Sequence, residues 1–230
     1  MRKSYTWVSL FLGAVVLLAP GWLQAADSAD KTVSSASNVL EEIMRIPEKG
    51  LPPALLKDAY GVAVLPGLLK AGFVVGGRYG NGVLSVREGG RWSNPSLITL
   101  MGGSVGWQIG AESTDVILVF KTRKSIDAIT QGKFTLGAQA SVAAGPVGRS
   151  AEAATDVQLK SEIYSYSRSR GLFAGVALDG AALQIDDDAN AQYYRSPGIT
   201  PAAIFASGKG LKVPESAARF KKVLTRYTPK

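Results

Sequence analysis

The sequence predicts a single α+β domain: a curved, antiparallel, barrel-like β-sheet with flanking helices. Three observations carry this. From Ala59 to about Asp186 the chain breaks into apolar runs separated by Gly, Asn, Asp or Pro, the pattern of strands and turns. Helical spacing appears at both ends of the chain instead. No internal repeat, low-complexity tract or linker divides the 230 residues, a length that suits one domain with a sizeable core.

The elements follow in order. Val33, Ala36, Leu40 and Ile43 recur at helical spacing, Glu41, Glu42 and Arg45 lie off that face, and Pro47 ends the run; this predicts an amphipathic helix over 30–46. "LPPALLKDA" reads as a short helical turn with prolines near its start. Six runs then read as strands: "YGVAVLPG", "AGFVVGGRYG", "NGVLSVRE", "PSLITLMGG", "SVGWQIGAE" and "TDVILVFKT". "VILVF" is apolar throughout, as a strand covered on both faces requires. "YGNGV" and "REGGRW" read as tight hairpin turns, and "GAESTD" as a further turn. Gly76, Gly77, Gly106 and Gly110 inside strands fit bends or close backbone approach. "RKSIDAITQGK" is a helix with Ile126 and Ile129 inward and Gly132 as its stop. Strands come next from "KFTLGAQASVAAG", "SEIYSYSRS", "LFAGVALDG" and "AALQID". Three helical pieces, "DDANAQYYRS", "TPAAIFASG" and "VPESAARFKKVLTRYT", close the chain. Pro201 and Pro214 fall at helix first turns, where proline is tolerated.

Residues 1–25 have the layout of a secretory signal peptide: Arg2 and Lys3, an apolar run from Val8 to Leu18, Pro20-Gly21, and "LQA" before a cut after Ala25. The apolar run falls short of the roughly 20 residues a membrane span needs. The domain proper is then 26–230, exported and periplasmic or peripheral to the envelope membrane. With no cysteine in the chain, neither disulfides nor a thioether-linked lipid anchor is available. Charge is unevenly placed. The chain has 26 Lys+Arg against 18 Asp+Glu. Lys209, Lys212, Arg219, Lys221, Lys222, Arg226 and Lys230 crowd into the last stretch against Glu215 alone, while 26–208 balances. Such asymmetry points to an acidic partner surface.

Chemistry is largely excluded. The absence of His and Cys removes histidine-based triads, thiol nucleophiles and the usual zinc sites. Glu112 and Asp115 read as solvated turn carboxylates. "DDDAN" at 186–190 starts like a calcium loop, but Ala191 stands where its turn glycine belongs and Pro197 where its last glutamate belongs. One of these aspartates caps the following helix. "GGRYGNG" and "GGSVGWQIG" match neither dinucleotide nor P-loop fingerprints. No catalytic residue, metal site or cofactor is expected.

Two segments remain. On a helix from Pro214, Ala217, Phe220, Val223, Leu224 and Tyr227 share one face, Lys222 and Arg226 point away, and Arg219 and Lys221 flank it. The apolar face suits the core; the cations, with Lys209 and Lys212, suit an anionic membrane or an acidic envelope protein. "LPGLLKAGF" at 65–73 sets Leu68, Leu69 and Phe73 around Lys70, either as an apolar loop tip with a cation at headgroup level or with the leucines folded into the core. Arginines and aromatics alternate in "YSYSRSRGLF" as a nucleic-acid stacking surface does, but export and a neutral body set nucleic acid aside as a partner.

Four long pieces, "KAGFVVGGRYGNGVL", "WSNPSLITLMGGSVGWQIGAESTDVILVF", "LGAQASVAAGPVGRSAEA" and "YSYSRSRGLFAGVALDG" followed by "YY", together resemble the SYLF domain family, the lipid-binding domains related to those of yeast cortical actin regulators. The resemblance runs from about Val33 to Tyr194. It implies a non-enzymatic domain binding phosphorylated or anionic lipids, with actin binding in some eukaryotic members. An exported chain would not meet actin. The family's lipid contact, associated with a basic N-terminal region, maps here to 33–46 and "LPGLLKAGF"; since Glu41 and Glu42 offset Arg45, Lys70 is the better-matching cation. Arg149, Arg168 and Arg170 then belong to shared architecture, pairing carboxylates or turn carbonyls ahead of touching lipid.

Overall fold

The computed structural model describes residues 21–45, 51–132, 134–145, 160–169, 172–174, 178–207 and 210–229. Its elements are α1 (Gly21–Met44), α2 (Pro53–Lys57), β1 (Gly61–Glu88), β2 (Arg91–Trp92), β3 (Ser96–Phe120), α3 (Arg123–Thr130), β4 (Phe134–Thr135), β5 (Val142–Ala144), β6 (Ile163–Ser169), β7 (Leu172–Ala174), β8 (Ala182–Ile185), α4 (Asp187–Tyr193), α5 (Pro201–Phe205) and α6 (Glu215–Tyr227). The α+β class holds: a curled sheet of eight strands with helices flanking it. The sheet is mixed, not purely antiparallel, because β5 runs parallel to β6 with Val142 against Ile163.

The six short strands expected between residues 59 and 122 are two long ones. β1 and β3 pair antiparallel from Gly61 against Phe120 to Leu84 against Ser96. "GAESTD" is therefore strand, with Glu112 opposite Lys70. "REGGRW" is the tight hairpin expected: Gly89 and Gly90 both have positive φ, 55° and 78°, as a type I′ turn requires. "YGNGV" is not a turn. A Cβ on Gly82 would lie 2.3 Å from the Val64 carbonyl oxygen, and one on Gly80 would lie 2.8 Å from Leu68 Cδ1. These glycines let the ribbon fold double, laying 61–68 against 80–86. The Arg87 N–H closes the fold by donating to the Tyr60 carbonyl at 2.8 Å. A one-residue irregularity eases the curl: Pro66 and Gly67 together oppose Asp115, Gly67 has φ 61°, and its N–H donates to the Asp115 carboxylate at 2.9 Å. Such bulges bend the strand that carries them.

The base of this folded ribbon is the core. Val116 to Phe120 are buried throughout, as their unbroken apolar run implies, and pair with β1 on one edge and β6 on the other. β8 covers the other end of β3, from Ile98 to Met101. The expected strand "KFTLGAQASVAAG" is divided into β4 and β5 by a turn at Gly137, whose φ is 80°.

Helices close the core. Ala29, Val33, Ala36, Leu40 and Ile43 of α1 are buried, so its amphipathic face is as expected, although the helix begins at Gly21 rather than near 30. The expected cut after Ala25 thus lies within α1, and residues 1–20 of the expected signal peptide lie outside the described residues. Thr122 caps α3, Asp186 caps α4 by accepting from the Ala189 N–H at 2.9 Å, and Thr200 caps α5 with Pro201 in its first turn. Pro214 is the N-cap of α6 rather than a first-turn residue. Asn190 pins α4 to β3, accepting from the Leu97 N–H at 2.8 Å and donating to Ser96 Oγ at 3.0 Å. No helix among the described residues is long and apolar enough to cross a membrane.

Candidate functional site

α6 sits on the outside of the helical layer. Ala217, Phe220, Val223 and Leu224 are buried against the core. The Tyr193 and Ser216 hydroxyls lie 2.7 Å apart and Ser216 donates to Asp30 at 2.6 Å, which ties α4, α6 and α1 together. At the far end the Trp92 indole N–H donates to Thr228 Oγ1 at 2.8 Å. With the apolar face committed inward, Lys222 and Arg226 stand exposed on the other side, Lys221 is half-buried, and Lys212 is exposed just upstream. Among the described residues none of these four makes an ion pair. Arg219 differs. It donates to Asn38 Oδ1 at 2.7 Å and lies 3.6 Å from Glu41, so it fastens α6 to α1 and is not a free surface cation. Lys209 lies outside the described residues.

The segment 65–73 is strand, not a loop tip. Leu68 is 4% exposed and packs under Gly80, which removes it from any outer surface; a side chain on one face of a pleated strand that meets the core cannot also face solvent. Leu69 points outward, 53% exposed. Lys70 is half-buried and stands opposite Glu112 in the ladder. Phe73 falls where the β1–β3 register shifts.

Of the three arginines, Arg168 pairs with carboxylates. It bonds Glu42 of α1 and lies 3.3 Å from Asp115 of β3. Burial works against its charge, but the hydrogen bonds and fields of Glu42 and Asp115 prevail and hold it above the ordinary arginine range. Asp115 accepts from both Gly67 and Arg168; it is a buttress of the bulge rather than a solvated turn carboxylate. Arg149 and Arg170 lie outside the described residues. Sequence reading missed Arg78, half-buried in β1, where desolvation pulls the guanidinium down against the upward push of Asp179. Its only sequence signal was a lone cation amid glycines. Among the described residues no group of three or more acidic side chains could hold a metal ion.

A domain built on one folded ribbon, with its spare charge on an outer helix, belongs to the α+β class expected. A family model described as Ysc84, Las17-binding protein actin regulator, matches residues 101–227. Protein YSC84 of Saccharomyces cerevisiae is 39% identical over 178 residues, 76% of this chain and 37% of that protein. LAS seventeen-binding protein 3 of Saccharomyces cerevisiae is 41% identical over 148 residues, 63% of this chain and 32% of its own. The SH3 domain-containing YSC84-like protein 1 of Xenopus laevis is 37% identical over 171 residues, 71% of this chain and 51% of its own. The chain belongs to the Ysc84, or SYLF, family, a family of binding and regulatory domains. It spans between about a third and a half of the length of these relatives. The family match reaches position 227, so the basic helix α6 lies inside it, not beyond the matched region as the motifs ending at Tyr194 had suggested.

Proposed function

We propose that this domain docks, without chemistry, on an anionic lipid surface, and that it does so as an exported protein on the periplasmic side of an envelope membrane. The observation that carries the reading is the division of labour on α6: an apolar face given to the core, and Lys222 and Arg226 exposed with Lys221 and Lys212 nearby, on a chain whose body is otherwise neutral. Near an anionic membrane each such cation contributes about 1 kcal/mol. Four together contribute about 4 kcal/mol, close to a thousandfold in affinity. The attraction fades within about 10 Å at ordinary salt, so the helix must approach the headgroups closely. Actin regulation appears in the description of the matching family model; an exported domain would meet lipid and not actin.

Sedimentation with phosphatidylglycerol and with phosphatidylcholine vesicles tests this. The protein is expected to pellet with the first at low salt, to release as salt is raised, and to lose at least about tenfold in affinity, some 1.4 kcal/mol, when Lys221, Lys222 and Arg226 become Glu. Equal binding to both vesicles, or to neither, would overturn it.

A further inference from the structure

Two neighbouring clefts share a wall made of cations. The first lies between the turn that follows α4 and the segment leading into α6. Arg195, Ser196, Ile199, Thr200, Leu211 and Lys212 line it, around a volume of about 460 Å³. The second, about 340 Å³, lies on the other side of Arg195 and Lys212, against α1. Asp27, Asp30 and Glu215 line that side, and Asp30 already accepts from Ser216 at 2.6 Å. The described lining of the first cleft holds both cations, two hydroxyls and no carboxylate. Charge therefore favours an anion in the first cleft over the second.

Arg195 is placed there against the preference of its backbone. α4 ends in a Schellman turn: the Ser196 N–H donates to the Ala191 carbonyl at 2.9 Å, and the Arg195 N–H to the Gln192 carbonyl at 3.2 Å. Within that turn Arg195 takes φ 51°, the left-handed conformation that such turns ordinarily give to glycine. Glycine adopts it without strain, and a residue with a Cβ does not. Local structure asks for glycine here, and the chain carries a guanidinium instead. Strain of this kind concentrates at sites where ligands are held.

The rest of the lining suits one chemical class. Arginine's planar fork grips two phosphate oxygens at once, and an ammonium adds a compact point charge. Thr200 Oγ1 accepts from the Ala203 N–H at 3.3 Å, and its own hydroxyl hydrogen can still be donated. Donors set on both the 195–200 turn and the 210–212 segment suit a tetrahedral anion better than a planar carboxylate. Ile199 and Leu211, packed against the core, add apolar surface beside them.

We infer that this cleft binds a phosphate ester, Arg195 and Lys212 holding the phosphate and the surface of Ile199 and Leu211 taking the remainder. The ester is a lipid headgroup or a free phosphorylated solute. The site goes beyond docking by α6, since Lys222 and Arg226 take no part in it.

Nuclear magnetic resonance on the isotopically labelled full chain tests this at constant ionic strength. The free probe is sn-glycerol 1-phosphate, and the lipid probe is dihexanoyl phosphatidylglycerol below its micelle concentration. The amides of Arg195, Ser196, Thr200 and Leu211 are expected to shift saturably. Arg195→Gly is expected to hold or raise the urea midpoint while weakening the probe at least about tenfold. Lys212→Gln, outside the strained turn, should weaken it as well. Tighter saturation by the lipid probe makes the source a headgroup, and by glycerol phosphate a free solute; either upholds the site. Shifts that never saturate overturn it, and vesicle sedimentation by the same protein would leave docking standing. An Arg195→Gly variant that is less stable, or that binds as tightly, also overturns the proposal. Saturable binding by protein that does not pellet with vesicles overturns docking and leaves the cleft.

Discussion

The same two strands behave in opposite ways at the two ends of one ribbon. At the base, 61–65 and 116–120 are buried throughout, and glycines exist because backbone presses on backbone: Gly82 has the Val64 carbonyl oxygen where its Cβ would be. Where the ribbon folds back, in the bend over 69–79 and 101–113, a Cβ on Gly103 would meet nothing within 4 Å and one on Gly77 only a carbonyl oxygen at 3.9 Å, and among the described residues no third strand pairs between Met101 and Asp115. Glycine thus has two uses among the described residues, close packing of backbone at Gly80 and Gly82 and an exposed position at Gly77 and Gly103. Composition alone does not distinguish them.

Three experiments would break or sharpen the contrast. The largest effect is expected at alkaline pH, which attacks the buried parts and spares the bend. Burial raises Tyr166, Tyr193 and Tyr194 well above the ordinary tyrosine value. The unfolded chain releases these protons from about pH 10 while the native state retains them, so stability is intact below that point and falls as pH rises. With three tyrosines the slope is about 4 kcal/mol per pH unit. Thermal unfolding followed from pH 8 to 12, beside absorbance at 295 nm, checks both the onset and the coincidence of ionisation with unfolding.

Next comes the glycine pair. Gly82→Val should cost about 3 kcal/mol by overpacking, whereas Gly103→Val, with open space around it, should change stability by no more than about 0.5 kcal/mol. Urea midpoints of the two variants compare base and bend directly, and equal losses would erase the distinction. The smallest effect belongs to the joint between the regions. Arg168→Met removes the link among Glu42, Asp115 and the Gly67 bulge. It should cost about 1–2 kcal/mol, since the partners are only partly buried and regain water; chemical denaturation with an unchanged m-value would register it.

Local signals were readable in the chain. The helical face of Val33, Ala36, Leu40 and Ile43, the unbroken "VILVF", the Gly89-Gly90 hairpin, an aspartate cap at the start of "DDANAQYYRS" and Pro201 in a first turn each depend on neighbours within a few residues, and each is where local chemistry puts it. What escaped depends on distant partners. Gly80 and Gly82 carry the local signature of a turn, and only their approach to Leu68 and Val64 shows them to be strand. Asp115 looks like a solvated loop carboxylate until Arg168, 53 residues on, is brought beside it. The site was partly readable: the facing of Lys222 and Arg226 followed from helical spacing. The capture of Arg219 by Glu41, and the loss of Leu68 to the core, required the folded neighbours.

The packing of α6 on α1 has a consequence for how the molecule comes into being. The first described helix rests on the last, joined by Ser216 to Asp30 and by Arg219 to Asn38. A nascent chain from which α6 has not yet emerged leaves the α1 surface under α6 wet, so these two helices are sealed against each other only once Glu215–Tyr227 is made. Removing α6 should act like loosening a latch: α1 would lose the bonds from Ser216 and Arg219 that hold it down.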